Sequence, residues 1–257
     1  MPPNRLGRRR LLALSTAALA GCTTATQTDT GTATSQAPDY DTSLDHDPTT
    51  WGGYDPEWTA PSNSPETALS VEVLVENLEI PWDLAFAPTG ELFLTERTGR
   101  VLRYEEGEVV GVTRPADAID AGVVEPGSDG NVWSVQGGEG GTMGLAVHPN
   151  YPDVPLLYVY YTAQSNAGRV NRLAYFDVSA DEPNRHRKTL LEVPAGTIHN
   201  GGRITFGPSN YLWVTTGDVG NGTLAANPDS LAGKVLRLTP EGEPAPGNES
   251  RGDPRIF

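Results

Sequence analysis

Residues 82–95, WDLAFAPTGELFLT, consist of an apolar run, a turn that contains a proline, and a second apolar run. The same order recurs in residues 143–160, MGLAVHPNYPDVPLLYVY, and in residues 202–215, GRITFGPSNYLWVT. The prolines at equivalent positions are 61 and 59 residues apart, and they are Pro88, Pro149 and Pro208. Apolar runs of this length, rich in aromatic residues and bounded by Pro and Gly, predict β-strands. The chain therefore contains three copies of a strand–turn–strand unit.

A third run, in which polar and apolar residues alternate, follows each unit at residues 100–104, 172–176 and 234–238. This alternation predicts half-buried outer strands. Repeated antiparallel units of three to four strands are typical of β-propeller blades, so we expect an all-β fold with about three blades. An open β-sandwich is the alternative. The repeat is longer than a compact blade needs, which predicts inserted loops that carry function, such as residues 115–140 and 217–232.

Three regions are predicted along the chain. In residues 1–21, Arg8, Arg9 and Arg10 precede an apolar run too short to cross a bilayer, which predicts an export signal of the twin-arginine lipoprotein type. Residues 22–66 contain no Lys or Arg and no apolar periodicity, which predicts a flexible, Thr-rich acidic tether. Residues 67–257 are assigned to a partial propeller. Because a propeller closes with about four to eight blades, we expect this chain to be truncated.

Cys22, the only cysteine, follows Leu-Ala-Gly as in a lipoprotein processing site. We therefore expect an exported, extracytoplasmic protein that is held at the cell membrane by a lipid on Cys22. An ordinary leader with an incidental cysteine is the alternative. The formal net charge of −15 disfavours a nucleic-acid partner. It predicts a solvated acidic surface of the halophilic kind, with a specific cationic ligand as the alternative.

His199, in the sequence IHNGGR of residues 198–203, is the first candidate for chemistry. A loop flanked by glycines can present an imidazole to a cleft, and histidine side chains titrate in the range that suits a general base. Asp218 follows a strand end and can accept a hydrogen bond from this ring, or it can cap its own turn. Glu139 lies among four glycines, either beside a ligand or in an inter-blade linker. No metal ligand is assigned, because the loop around Asp218 lacks the spacing of an EF-hand.

An ordered set of segments in residues 70–257 resembles the soluble PQQ-dependent glucose and aldose sugar dehydrogenases, also called the glucose/sorbosone dehydrogenase family. These segments are PWDLAF (81–86), LTER (94–97), GLAVHP (144–149), HNGGR (199–203), TGD (216–218), LAGKVLR (231–237) and PRIF (254–257). The resemblance implies a six-bladed β-propeller of which this chain holds the N-terminal portion. It also implies oxidation of aldose sugars to lactones, with hydride transfer from the anomeric carbon to PQQ and an external electron acceptor.

The resemblance implies roles for five residues. His199 matches the base that removes the proton of the anomeric hydroxyl, and Asp218 matches the carboxylate that orients it. Glu139 matches a position beside the sugar, and Asn200 and Arg203 are assigned to substrate or cofactor binding. The cofactors implied are PQQ and Ca²⁺, with most ligands beyond the position that matches Phe257, so we expect this chain alone to bind PQQ weakly.

One position departs from the family pattern. Ile198 stands where the glucose-oxidising branch has an acidic residue, which favours a broader aldose specificity. The competing function is a non-catalytic cell-surface propeller that binds a protein or polysaccharide, since propellers host both classes. A propeller lactonase is disfavoured, because no converging set of acidic and Asn metal ligands is visible.

Overall fold

The computed structural model describes residues 40–46, 57–60, 62, 70–119, 121, 138–166 and 168–257. The strands in these ranges are β1 Pro81–Phe86, β2 Leu92–Glu96, β3 Val101–Glu105, β4 Glu108–Thr113, β5 Thr142–Val147, β6 Leu156–Ser165, β7 Gly168–Asp177, β8 Arg187–Pro194, β9 Gly201–Phe206, β10 Leu212–Thr216 and β11 Val235–Leu238. One short helix, α1, spans Gly222–Ala226, and 3-10 turns span Pro183–His186 and Pro208–Asn210. Each run predicted to be a strand coincides with an observed strand, so those predictions are confirmed.

The strands form three antiparallel sheets that follow one another along the chain. Sheet 1 has the order β1-β2-β3-β4, sheet 2 has the order β5-β6-β7-β8, and sheet 3 has the order β9-β10-β11. The first strands of the three sheets, β1, β5 and β9, lie next to one another. Sheets that meet through their first strands are arranged as neighbouring blades, which is the all-β architecture expected from the repeats.

Both faces of sheet 2 are covered. Because alternate residues of a strand point to opposite faces, β6 contributes side chains to the packing on each of them. Leu156, Tyr158 and Tyr160 belong to the apolar cluster shared with sheet 3. Residues 157, 159 and 161 belong to the cluster shared with sheet 1. The next strand, β7, is buried continuously from Leu173 to Asp177. The expectation of half-buried alternation in residues 172–176 is therefore wrong, since a strand between two packed faces has no solvated side.

Residues 40–46, which we call the N-terminal strap, pack onto sheets 2 and 3. The Tyr40 hydroxyl donates to Asp177 Oδ2 at 3.1 Å, and the His46 ring stacks on Tyr211 with the ring centroids 4.1 Å apart. The Thr42 carbonyl oxygen lies 3.2 Å from Nε2 of the buried His148. The prediction of a flexible tether for residues 22–66 is thus wrong for the strap, because its aromatic side chains find partners on the sheets.

Residues 1–39, with the predicted export signal and Cys22, lie outside the described residues. Export, lipid attachment and the boundary at residue 21 therefore stay predictions. In the part of the chain that the structure describes, none of the helices has the length and apolar character that spanning a bilayer requires.

The topology separates two ends of the sheets, since successive turns of an antiparallel sheet lie at alternate ends. The turns β5–β6 and β9–β10, which the strap contacts, lie at what we call the strap end. The segments that precede β5 and β9 and the segment that follows β10 lie at the other end, which we call the loop end. Glu139, His199 and Asp218 all belong to the loop end.

Candidate active site

His199 and Asp218 form a hydrogen-bonded pair at the loop end. His199 lies between β8 and β9, and Asp218 follows β10. His199 Nδ1 is 2.9 Å from Asp218 Oδ1, and the imidazole side chain is 57% exposed. The hydrogen bond from the His199 ring and a second one from the Gly220 N–H hold the pKa of Asp218 below its ordinary value. An ionised carboxylate only accepts hydrogen bonds, so Nδ1 carries a hydrogen, and in the neutral form of the ring the lone pair is on Nε2.

The backbone of His199 adopts the left-handed conformation, with φ 55°. This conformation costs a non-glycine residue about 1–2 kcal/mol. Gly201 and Gly202 also have positive φ angles, 71° and 107°, which agrees with the loop expected from the flanking glycines. The His199 carbonyl oxygen accepts from the Val219 N–H at 3.1 Å and lies so close to Gly217 that a β-carbon there would clash with it. The loops that carry His199 and Asp218 are thus locked to each other.

Glu139 lies against the same loop from the side of sheet 2. Its Oε2 accepts the His199 backbone N–H at 2.5 Å, and its own N–H donates to the Thr197 carbonyl oxygen at 2.8 Å. Glu139 itself is exposed. The structure therefore brings together His199, Asp218 and Glu139, three of the residues selected from the sequence.

Asn200 has a different place from the one predicted. Its side chain is 2% exposed, and its Oδ1 accepts from the Gly196 N–H and from Asn171 Nδ2, both at 3.0 Å. Its Nδ2 donates to the Gly196 carbonyl oxygen at 3.0 Å. The prediction that Asn200 contacts substrate or cofactor is not supported by this geometry, because its amide is already bonded within the protein. Asn200 instead closes the loop that holds His199.

Arg203 lies on β9 and points across the junction of the three sheets. Its guanidinium Nη1 pairs with Asp83 Oδ1 on β1, and the Leu145 N–H on β5 donates to Asp83 Oδ2 at 3.2 Å. Asp83, which the sequence analysis did not select, thus ties the three first strands together with a side chain only 7% exposed. An open cleft of about 530 Å³ lies beside this pair, between β1, β5 and β9. The role of Arg203 in ligand binding stays a prediction.

Arg97 is a second residue that the sequence analysis did not select for the site. It follows β2, is 6% exposed, and directs its guanidinium at the segment that contains Glu139. Nη2 donates to the carbonyl oxygens of Gly138 at 2.6 Å and Gly140 at 2.8 Å. The signal available in the sequence was weak, because an arginine at a strand end is ordinarily a surface residue.

Comparison with known proteins identifies the family of this chain. The glucose/sorbosone dehydrogenase family matches residues 78–256. The chain belongs to this family. Its three sheets correspond to about half of the propeller in solved dehydrogenases of the family, which confirms the expectation of about three blades.

Three relatives show how far the similarity extends. The aldose sugar dehydrogenase YliI of Escherichia coli is 26% identical over 192 residues, which are 72% of this chain and 47% of that protein. The PQQ-bound aldose sugar dehydrogenase of Streptomyces coelicolor is 30% identical, with a TM-score of 0.59 over 73% of this chain and 52% of that one. An oxidoreductase of Thermus thermophilus, described as a glucose dehydrogenase, is 36% identical, with a TM-score of 0.60 over 74% of this chain and 54% of that one. The chain spans about half the length of two curated relatives that it matches, 48% of one and 47% of the other.

Proposed function

We propose that this chain supplies the proton-abstracting half of a PQQ-dependent aldose sugar dehydrogenase. The observation that carries the proposal is the His199–Asp218 pair, an exposed imidazole whose Nδ1 is bonded to a carboxylate at 2.9 Å. Membership of the glucose/sorbosone dehydrogenase family supports the same reaction class. A module that only binds a protein or polysaccharide does not need an oriented base.

The chemistry of the pair follows from its hydrogen bonds. Asp218 holds the hydrogen on Nδ1, so the lone pair on Nε2 is available to accept the proton of an anomeric hydroxyl. When Nε2 takes this proton, the ring becomes an imidazolium cation that the adjacent carboxylate stabilises. The complete reaction removes a proton from the hydroxyl and a hydride from the anomeric carbon, which leaves the lactone. The hydride needs an acceptor, which PQQ would supply if the whole protein binds it.

The described residues fit the proton-abstracting role better than they fit the cofactor. PQQ carries three carboxylates and needs several cations. Arg203, the basic residue at the junction of the sheets, is paired with Asp83, and Arg97 is bonded to backbone carbonyl groups. Among the described residues, no group of three or more His, Cys, Asp or Glu side chains is placed to hold a metal ion. In the part of the chain that the structure describes, the residues do not by themselves form a PQQ or Ca²⁺ site, so both cofactors belong to the proposal for the whole protein.

The test is dye reduction by the protein that contains these 257 residues, supplied with PQQ, Ca²⁺ and a panel of aldoses. We expect reduction with several sugars, since Ile198 replaces the acidic residue of the glucose-oxidising branch. His199→Ala should abolish turnover, and His186→Ala, at the end of a 3-10 turn of sheet 2, is the matched control that should retain it. If no sugar supports dye reduction, the proposed enzymatic function is wrong and a surface-binding propeller is favoured. Equal turnover by His199→Ala would remove the base from the mechanism.

A further inference from the structure

The Arg97 guanidinium is buried against backbone carbonyl groups. Its Nη2 donates to Gly138 O and Gly140 O, and its Nε donates to Gly140 O at 3.1 Å. The ring of Trp82 covers it, with the guanidinium carbon 5.3 Å from the ring centroid. Burial lowers the pKa of Arg97, and the charge of Glu139 opposes that shift. A cation placed in such a pocket is costly unless its donors are used, so its bonds to residues 138–140 hold that segment firmly.

The segment held by Arg97 contacts the base directly. Glu139 lies between the two carbonyl groups that Arg97 binds, and its backbone N–H donates to the Thr197 carbonyl oxygen at 2.8 Å. Its carboxylate accepts the His199 N–H at 2.5 Å. These hydrogen bonds therefore connect Arg97, which follows β2 of sheet 1, to the segment that precedes sheet 2. They connect that segment in turn to the loop that precedes sheet 3.

The hydrogen bond from the His199 N–H to Glu139 restrains a residue whose backbone conformation is unfavourable. A non-glycine residue with φ 55° persists only where the surrounding structure restrains it. The Val219 N–H binds the carbonyl group of His199, and Glu139 binds its N–H. Displacement of Glu139 would remove the restraint on the backbone N–H of His199.

We propose that Arg97 is a positioning residue for the base: through Gly138, Gly140 and Glu139 it holds His199 in the conformation that presents Nε2 to the sugar. The inference rests on the proposed function, because it assigns to Arg97 a role in proton abstraction. Arginine suits this role better than lysine, since its planar fork reaches two carbonyl groups at once whereas an ammonium is a point charge on a flexible stem.

The first experiment compares Arg97→Met and Arg97→Lys with the wild-type protein that contains this chain. We expect Arg97→Met to lower kcat about 10- to 100-fold, because a displacement of about 1 Å costs that much. The KM for the aldose should change less than about threefold, since Arg97 does not touch the substrate. Arg97→Lys should recover part of the loss, and Arg185→Met, which removes a surface arginine paired with Glu182, should leave kcat unchanged.

The second experiment observes the base without catalysis. The chain has four histidines, so long-range ¹H–¹⁵N spectra of their side chains can be assigned by substitution. We expect the His199 signals to move in Arg97→Met from those of a ring with hydrogen on Nδ1 toward a tautomeric mixture, and the His199 amide proton to shift upfield. Unchanged His199 signals in a folded Arg97→Met variant would overturn the inference, even if kcat fell.

The two proposals fail separately. If the wild-type protein oxidises no sugar but the His199 signals move in Arg97→Met, the proposed function is wrong and the positioning contact stands. If Arg97→Met does not fold, Arg97→Lys and Glu139→Gln are combined in a double-mutant cycle on kcat. Additive losses would then overturn the inference, whereas coupling of about fivefold or more would support it.

Discussion

Asp117 anchors the start of the long insertion that leads to Glu139, and its replacement should destabilise the fold measurably. The carboxylate of Asp117 accepts from Arg187 Nη1 at 2.5 Å and from the Tyr161 hydroxyl at 3.1 Å, and it also pairs with Arg172. Side-chain exposure is 24% for Asp117, 11% for Arg172 and 22% for Arg187. Asp117→Ala removes the carboxylate that these two guanidinium groups share.

The magnitude follows from burial. Breaking a fully buried ion pair costs about 3–5 kcal/mol. Partial exposure and the second partner of Arg172, Glu192, reduce this cost, so we expect the free energy of unfolding to fall by about 2 kcal/mol. For a domain of about 200 residues this corresponds to a Tm lowered by about 4–8 °C. The assay is thermal and guanidinium unfolding followed by circular dichroism at neutral pH.

A matched control is Glu182→Ala, which breaks the exposed pair with Arg185, where the side chains are 65% and 60% exposed. That change should cost less than about 0.5 kcal/mol. If Asp117→Ala unfolds at the same guanidinium concentration as Glu182→Ala, the account of the shared carboxylate is refuted.

The stabilisation that the Asp117 carboxylate contributes should also depend on pH. Burial alone raises the pKa of Asp117, but its hydrogen bond to Arg187 and the charges of Arg187 and Arg172 outweigh burial and lower it. The folded pKa then lies below the unfolded value of about 3.9. The stabilisation is therefore complete above that unfolded value and is lost as the pH falls through the folded pKa. The difference in Tm between the wild type and Asp117→Ala should narrow in acid, and a difference that widens there would contradict the sign.

Two further predictions concern the site and the strap. Asp218→Asn should lower kcat about 10- to 100-fold with little change in the KM for the sugar, because the amide is uncharged and its NH2 group can donate to Nδ1, so the carboxylate that keeps the hydrogen on Nδ1 of His199 is lost; steady-state kinetics test this, and an unchanged kcat would show that Asp218 only caps its turn. Tyr40→Ala should lower the free energy of unfolding by about 1–3 kcal/mol through loss of the bond to Asp177 and of apolar contact with sheets 2 and 3. Chemical denaturation tests it, and no change would mean that the strap is not part of the cooperative unit.

The repeated strands were predictable because each unit combines an apolar run, a proline turn and a second apolar run. The strand β4 was not predicted, since Glu108–Thr113 carries a charge and a glycine and most of its residues are exposed. The N-terminal strap was missed for a related reason. Its composition is polar, and its order depends on aromatic contacts with Tyr211 and Asp177 that are distant in sequence.

The candidate site was predictable in part. The pairing of His199 with Asp218 was one of two possibilities that the residues left open, and the structure shows the 2.9 Å contact. The burial of Asn200 and the bonds of Arg97 could not be inferred from local sequence. Each depends on a segment from another sheet, and a linear pattern does not record which carbonyl groups the fold brings within reach of a guanidinium.

The separation of the strap end from the loop end has a practical consequence. Tyr40, in the strap, contacts Asp177 at the strap end, whereas His199 pairs with Asp218 at the loop end. An electrode, resin or fusion partner attached to the strap itself would therefore contact the described domain at the end opposite to the His199–Asp218 pair.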